Sequence, residues 1–325
     1  MPRAISIDTI REAARTVYDA AIRTPLVPLG VVTPGGPEVF LKLEMLQPIG
    51  SFKIRGAYNA VRRLSPVQLA GGVWTVSAGN AAQGVAFAAR KAGARCSVMV
   101  MDTAPQAKLG AIDRLGATIV QASYDECWQT VESHGSPRMQ GHFVHPFDDD
   151  DFISGNGTAG LEIVEDLPDV DAVVAAVGGG GLLAGIGVAL RALRPEATIY
   201  AAEPETAAPL KRSMDNGRAS RFDEWQPSFV DGAGGKSVLD TMWPLLREYV
   251  RESIVVSLDD AARAMRLVAE RARVIAEGAG ACAVAAAVSP AMSSRGHRKV
   301  VAVVSGGNVD LAKFAQLVGA CPPQT

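Results

Sequence analysis

One lysine stands in an unusual setting. In IGSFKIRGAYNA, residues 49 to 60, Lys53 follows Gly50, Ser51 and Phe52 and opens a stretch in which Ile54, Ala57, Tyr58 and Val61 share one helical face. Ser51 suits the N-cap. Lys53 then falls in the first turn, where the helix dipole disfavours a cation. It is either a solvated surface lysine or an amine kept neutral for chemistry. Three other stretches carry candidate groups. VGGGGLLAGIGVAL (177–190) follows an apolar run and opens a helix, and its four glycines with the orphan N–H groups of the helix start form a cup for a phosphate. VSAGNAAQG (76–84) turns through Ser77, Gly79 and Asn80, as a backbone nest for a carboxylate or as a plain helix cap. SGGN ends a further apolar run at Ser305.

Competing chemistries have partial support. Gly179, Gly181 and Ala184 fit G-x-G-x-x-A, and Glu203 falls where a ribose-binding acid would. A nicotinamide-dependent oxidoreductase built on residues 170–203 is therefore an alternative, but it leaves GSFK, SAGN and SGGN without a task. DGAGGKS (231–237) lacks the first glycine of a nucleotide-binding P-loop, because position 230 is valine. The acidic run Asp148 to Asp151, between Phe147 and Phe152, reads as a solvated crossover between two sub-domains. Adjacent acids on an extended chain point to opposite faces, which argues against a metal there.

The elements that must position these groups alternate. Apolar, β-branched runs at 38–46, 72–77, 96–101, 118–122, 172–177, 198–203, 254–257 and 299–305 read as strands, with Ala-rich helical patterns between most of them. This predicts an α/β fold of open, mostly parallel sheets with helices on both faces. In such sheets ligands bind at the carboxyl ends of strands, where the three small-residue turns fall. The 325 residues suffice for two domains with a substantial core. A net charge of −2 offers no electrostatic case for nucleic acid or an acidic membrane. The longest apolar run is too short to span a bilayer, and the charged, amphipathic start is not a signal peptide. Four dispersed cysteines without a C-x-x-C read as reduced core thiols, and the expected location is cytoplasmic.

Taken as an ordered set, GSFKIRGA, SAGNAAQG, GGGGLLAG, AAEP, EGAGA and SGGNVD resemble the serine/threonine dehydratase family of fold type II pyridoxal-phosphate enzymes, which includes serine racemase. The resemblance spans nearly the whole chain. It implies a tryptophan synthase β-like architecture with the active site between a large domain (1–49 and 148–325) and a small one (50–147). It implies pyridoxal 5'-phosphate joined to Lys53 as a Schiff base, with Phe52 against the ring and Asn80 on its 3-hydroxyl. Gly178, Gly179, Gly180 and Gly181 would hold the phosphate and Ser305 would pair with the ring nitrogen. Gly232 and Glu277 would lie near the other side of the ring. The substrate carboxylate would take the turn Ser77, Ala78, Gly79, Asn80, Ala81. Lys53 would remove the Cα proton, and Ser77 is counted with it as catalytic.

The implied reaction is β-elimination from a 3-hydroxy amino acid, of threonine, serine or phenylserine type, giving a 2-oxo acid and ammonia. Three departures refine it. Ala81 stands where many members carry histidine, which opens room for a substrate such as phenylserine. Pro209 stands where metal-activated members place an acid six residues after the glutamate of AAEP, so no metal is expected. Ala78 stands where racemases carry serine, which favours a lyase. The chain ends soon after SGGN, without the regulatory domain of the biosynthetic threonine dehydratases, so a catabolic role and a homodimer are expected by resemblance. A cofactor-binding protein without catalysis is a further alternative, and intact Lys53 and Ser305 argue against it.

Overall fold

A computed structural model describes residues 3–321. Ten strands form two sheets. They are β1 (Leu26–Val31), β2 (Glu38–Leu43), β3 (Val73–Val76), β4 (Cys96–Met101), β5 (Thr118–Ala122), β6 (His142–Phe143), β7 (Ala172–Ala176), β8 (Thr198–Pro204), β9 (Glu252–Val256) and β10 (Lys299–Val304). The larger sheet has the order β1-β2-β10-β7-β8-β9 and is parallel except for the antiparallel β1–β2 pair. The smaller sheet, β5-β4-β3-β6, is wholly parallel.

The near-continuous apolar sequences of β7 and β10 have their cause in this topology. Both are interior strands, and helices cover both faces, among them Gly181–Leu193 and Gly278–Ala287. Val300 to Val304 are fully buried, as are Ala172 to Ala175. All eight expected strands are present, with ends trimmed: the 38–46 run leaves the strand at Leu43 and continues as a 3-10 turn over Glu44–Leu46. β1 and β6 lack a signal of their own. β1 holds a proline and a glycine with a register shift between them, and β6 is two residues long.

Two sequence expectations fail locally. The Lys53–Arg62 helix has Phe52, not Ser51, at its N-cap, and no side chain caps it. Ser51 instead forms an antiparallel bridge with Gly306, and its buried hydroxyl has no partner among the described residues. The acidic run is not a solvated crossover throughout. The Asp148 side chain is buried, bonded to Arg3, Thr241 and His134. Asp149 caps the Asp150–Asp166 helix by accepting from Phe152 N at 2.8 Å.

Candidate active site

The carboxyl ends of β3, β7 and β10 deliver the turns that the sequence singles out, and hydrogen bonds join two of them to the Lys53 loop. Phe52 N donates to Ser305 O at 3.0 Å and Gly307 N to Gly50 O at 2.9 Å. Asn308 Nδ2 donates to Ile49 O and to Asn80 Oδ1, both at 2.8 Å. Asn80 Nδ2 in turn donates to Glu277 Oε1 at 2.8 Å. Lys53, Asn80, Glu277 and Ser305 therefore belong to one stitched assembly, although Asn80 and its partner Glu277 lie 197 residues apart in the chain.

Lys53 is the first residue of its helix. Its Nζ donates to Pro146 O at 2.6 Å and lies 5.3 Å from the ring centroids of both Phe52 and Phe152. No carboxylate among the described residues pairs with it. Burial alone pulls its amine down to about 8, because an ammonium loses its hydration there and gains no counter-charge. Burial thus shifts this amine toward its neutral form, the direction that eases the conflict between a cation and a helix start.

Pro146 is held by its neighbours. His145 Nε2 bonds Val131 O at 3.1 Å, and His145 Nδ1 accepts from Phe147 N at 3.3 Å and Asp148 N at 2.8 Å. Burial and the neighbouring His134 push this imidazole down to about 4, so it stays neutral. His134, His145 and Asp148 gather as three potential metal ligands. Both ring nitrogens of His145 are already used, and Asp148 is committed to Arg3 and Thr241. That donor set does not make a metal centre. Neither His145 nor the Pro146 carbonyl is marked by any sequence motif.

The glycine turn after β7 is bare where neighbouring backbone and rings approach. Gly180 has φ +90 as N-cap of the Gly181–Leu193 helix. A Cβ on Gly179 would fall inside the Phe147 ring, and one on Gly181 would lie 2.7 Å from Phe147 O. Gly178 faces Gly232, whose 3-10 turn covers Asp231–Ala233. Ser77 Oγ accepts from Gly79 N at 3.1 Å, within the β3 turn before the Asn80–Lys91 helix. Glu277 is nearly buried, and burial together with the charge of Asp231 raises it to about 7. Ser305 is buried just beyond β10. Together these residues fit an aldehyde bearing a phosphate: an amine of lowered pKa for the aldehyde, and a glycine turn at a helix start for the anion.

Two sequence readings meet opposing geometry. Glu203 cannot read a ribose, since it is fully buried. Its oxygens accept from Leu210 N and Lys211 N at 2.8 Å and from Ser253 Oγ at 2.6 Å. The nicotinamide alternative loses its acid. Ala81 is buried in the helix after the turn, and it does not line the cavity that opens beside Ser77 and Ala78.

Comparison with known proteins gives a consistent set. A family model described as pyridoxal-phosphate dependent enzyme matches residues 17–306. The L-threonine ammonia-lyase of Thermotoga maritima is 39% identical over 321 residues, covering 97% of this chain and 78% of its own. The serine racemase of Dictyostelium discoideum is 33% identical, over 97% of this chain and 98% of its own. Among solved structures, maize serine racemase superposes with a TM-score of 0.88 at 32% identity, over 96% of both chains.

Proposed function

The chain belongs to the pyridoxal-phosphate dependent enzymes, in the fold type II group of the serine/threonine dehydratases, and from that premise we propose that it is a hydroxy-amino-acid ammonia-lyase. It would convert a 3-hydroxy amino acid, of threonine, serine or phenylserine type, into a 2-oxo acid and ammonia by β-elimination. The observation that carries this reading is Lys53: a buried amine lowered to about 8, without a counter-ion, beside the glycine turn and Ser305.

Pyridoxal phosphate, when bound, supplies the electron sink that lets a Cα proton leave. The protein's part is to hold, orient and move protons. Gly178, Gly179, Gly180 and Gly181 would hold the phosphate on backbone N–H groups, with Phe52 and Gly232 beside the ring. Asn80, itself held by Glu277 and Asn308, would meet the 3-hydroxyl. Ser305 would offer the ring nitrogen a hydroxyl rather than a carboxylate. A hydroxyl cannot sustain a full positive charge there, which favours prompt loss of a β-substituent over a long-lived carbanion.

The backbone of Ser77, Ala78, Gly79, Asn80 and Ala81 receives the substrate carboxylate. Lys53 Nζ takes the Cα proton; at a lowered pKa it is a competent base near neutrality. Ser77 Oγ already accepts from Gly79 N, so its own proton is free to be donated to the departing β-oxygen. The released enamine hydrolyses to the 2-oxo acid and ammonia. Ala78 offers no proton from the second face, which supports a lyase over a racemase.

The division into 1–49 with 148–325 and 50–147 is part of the proposal, supported by β3 to β6 all falling within 73–143. So is a cytoplasmic homodimer. Buried thiols at Cys96, Cys127 and Cys282 support a reducing compartment, and Tyr18, Ile22 and Leu46 expose apolar area for a second copy. No helix among the described residues is long and apolar enough to cross a membrane.

The test is product analysis on the holoenzyme with threonine, serine and phenylserine. We expect 2-oxo acid and ammonia in equal amounts, and loss of both in Lys53→Ala by at least about a thousandfold. Inversion of the amino acid without ammonia, or full activity in Lys53→Ala, would contradict the proposal.

A further inference from the structure

Beside the Ser77–Ala78 turn and Gly178–Gly179 lies a cavity of about 260 Å³. Two elements each turn one face toward it. Met99 and Met101 are two apart on β4, and Tyr124, Trp128 and Val131 follow helical spacing on the Tyr124–Ser133 helix. Leu239 helps to close it from the loop beyond Gly232. This is a built apolar chamber reached from the proposed carboxylate turn, on the opposite element from the Ala81 position.

Several of its polar neighbours are engaged elsewhere. Trp128 Nε1 donates to Glu132 Oε1 at 2.7 Å, leaving the ring as an apolar wall. Burial, with the charge of Glu126 adding, pushes the Cys127 thiol up to about 11, so it is neutral. Asp231 pairs with Lys108. Lys236 Nζ sits 3.8 Å from the Tyr124 ring centroid and 4.5 Å from that of Trp225, which tethers its charge to two aromatic faces. Lys236 pairs with no carboxylate among the described residues, so its ammonium, seated on these two rings, is the one cation of the lining without an anionic partner. A methyl group would leave most of the chamber unfilled, and a second carboxylate would lose its hydration against methionine and tryptophan.

We propose that this chamber seats the substituent on the substrate's β-carbon, and that the preferred substrates are 3-hydroxy amino acids bearing an aryl or branched alkyl group there. The proposal rests on the ammonia-lyase reading for its site, and it names the substrate class. A poorly hydrated apolar chamber gains most from an apolar occupant of matching size.

Phenylalanine, alanine and aspartate lack the β-hydroxyl and bind without elimination. Calorimetric titration of the holoenzyme with each, alongside kcat/KM for phenylserine, threonine and 3-hydroxyaspartate, tests the chamber directly. Phenylalanine should bind at least about tenfold tighter than alanine, with aspartate weakest, and kcat/KM should follow the same order. Val131→Phe, which fills the chamber, should abolish the preference for phenylalanine, and Val131→Ala should keep it. Equal or tighter binding of alanine or aspartate would overturn the proposal, as would an unaltered preference in a folded Val131→Phe. Selective phenylalanine binding with no elimination of any substrate would sink the lyase reading and leave the chamber standing. Threonine elimination without aromatic preference would do the reverse.

Discussion

At the scale of single residues, the site works by withholding counter-charges. Lys53 meets a carbonyl, not a carboxylate, and two aromatic rings, so burial acts on it unopposed. Glu277 is the complementary case: a carboxyl raised to about 7 that accepts from Asn80. A raised carboxyl stabilises the fold fully below its unfolded value, and that contribution is lost as pH rises through about 7. Glu277→Gln retains an acceptor for Asn80 and removes the titration. The wild type should therefore lose on the order of 3 kcal/mol more stability than the variant between pH 4 and 8, read from urea unfolding at each pH. Parallel profiles for the two proteins would contradict the burial argument. Lys53, Ser77, Asn80 and Ser305 could be picked out as candidates because each sits in a short turn of small residues at a strand end or helix start, whereas Glu277 entered only through the family resemblance. The Pro146 carbonyl and His145 were not, because a main-chain acceptor has no residue type to betray it.

At the scale of elements, the Lys53–Arg62 helix is moored by buried charge. Arg55 bonds Glu44 through Nε and Nη2 at 2.8 Å, and bonds Glu162 at 2.6 and 2.9 Å. Lys42 meets Glu162 at 2.6 Å, and Tyr18 Oη donates to the same carboxylate at 2.7 Å. The four charged side chains, two of each sign, are fully buried. Net neutrality with good geometry makes this tolerable, and removing one partner strands the others. Arg55→Ala should lower unfolding stability by about 3–5 kcal/mol and loosen the cofactor, since the helix that starts at Lys53 would lose its buried ionic tie to Glu162 of the Asp150–Asp166 helix and keep only the Asn59 and Arg63 polar contacts to Asp151. A midpoint within about 1 kcal/mol of wild type would refute that mooring role. Helical periodicity picked out Ile54, Ala57, Tyr58 and Val61, but the helix is buried all round from Ile54 to Val61, Arg55 included, because its carboxylate partners arrive from distant elements.

At the scale of the whole molecule, the alternation of apolar runs with Ala-rich helices made the mostly parallel α/β sheets readable in the sequence, whereas the division into two sheets was implied by the resemblance and their strand orders were not foreseen. What escaped were the joins: β1, β6 and the bonds linking residues 49–53 to 305–308. They depend on backbone partners supplied by the finished topology. The corner between β8, β9 and the Pro209–Asn216 helix carries a further consequence. Glu203 already accepts three donors there, and Pro209 offers none of the oxygen ligands a divalent ion takes from side chains. Chelator treatment should leave turnover and Tm unchanged, and added Mg²⁺ or Ca²⁺ should not accelerate the enzyme. A loss restored by a divalent ion would show that this corner rearranges around a metal. The central claim is that Lys53 is the residue that takes the cofactor. Borohydride reduction of the holoenzyme, followed by peptide mass spectrometry, measures it directly. The account predicts one stoichiometric cofactor label, on the peptide containing Lys53, and no label in Lys53→Ala. An unlabelled chain, or a label on Lys108 or Lys236 at the cavity mouth, would contradict it.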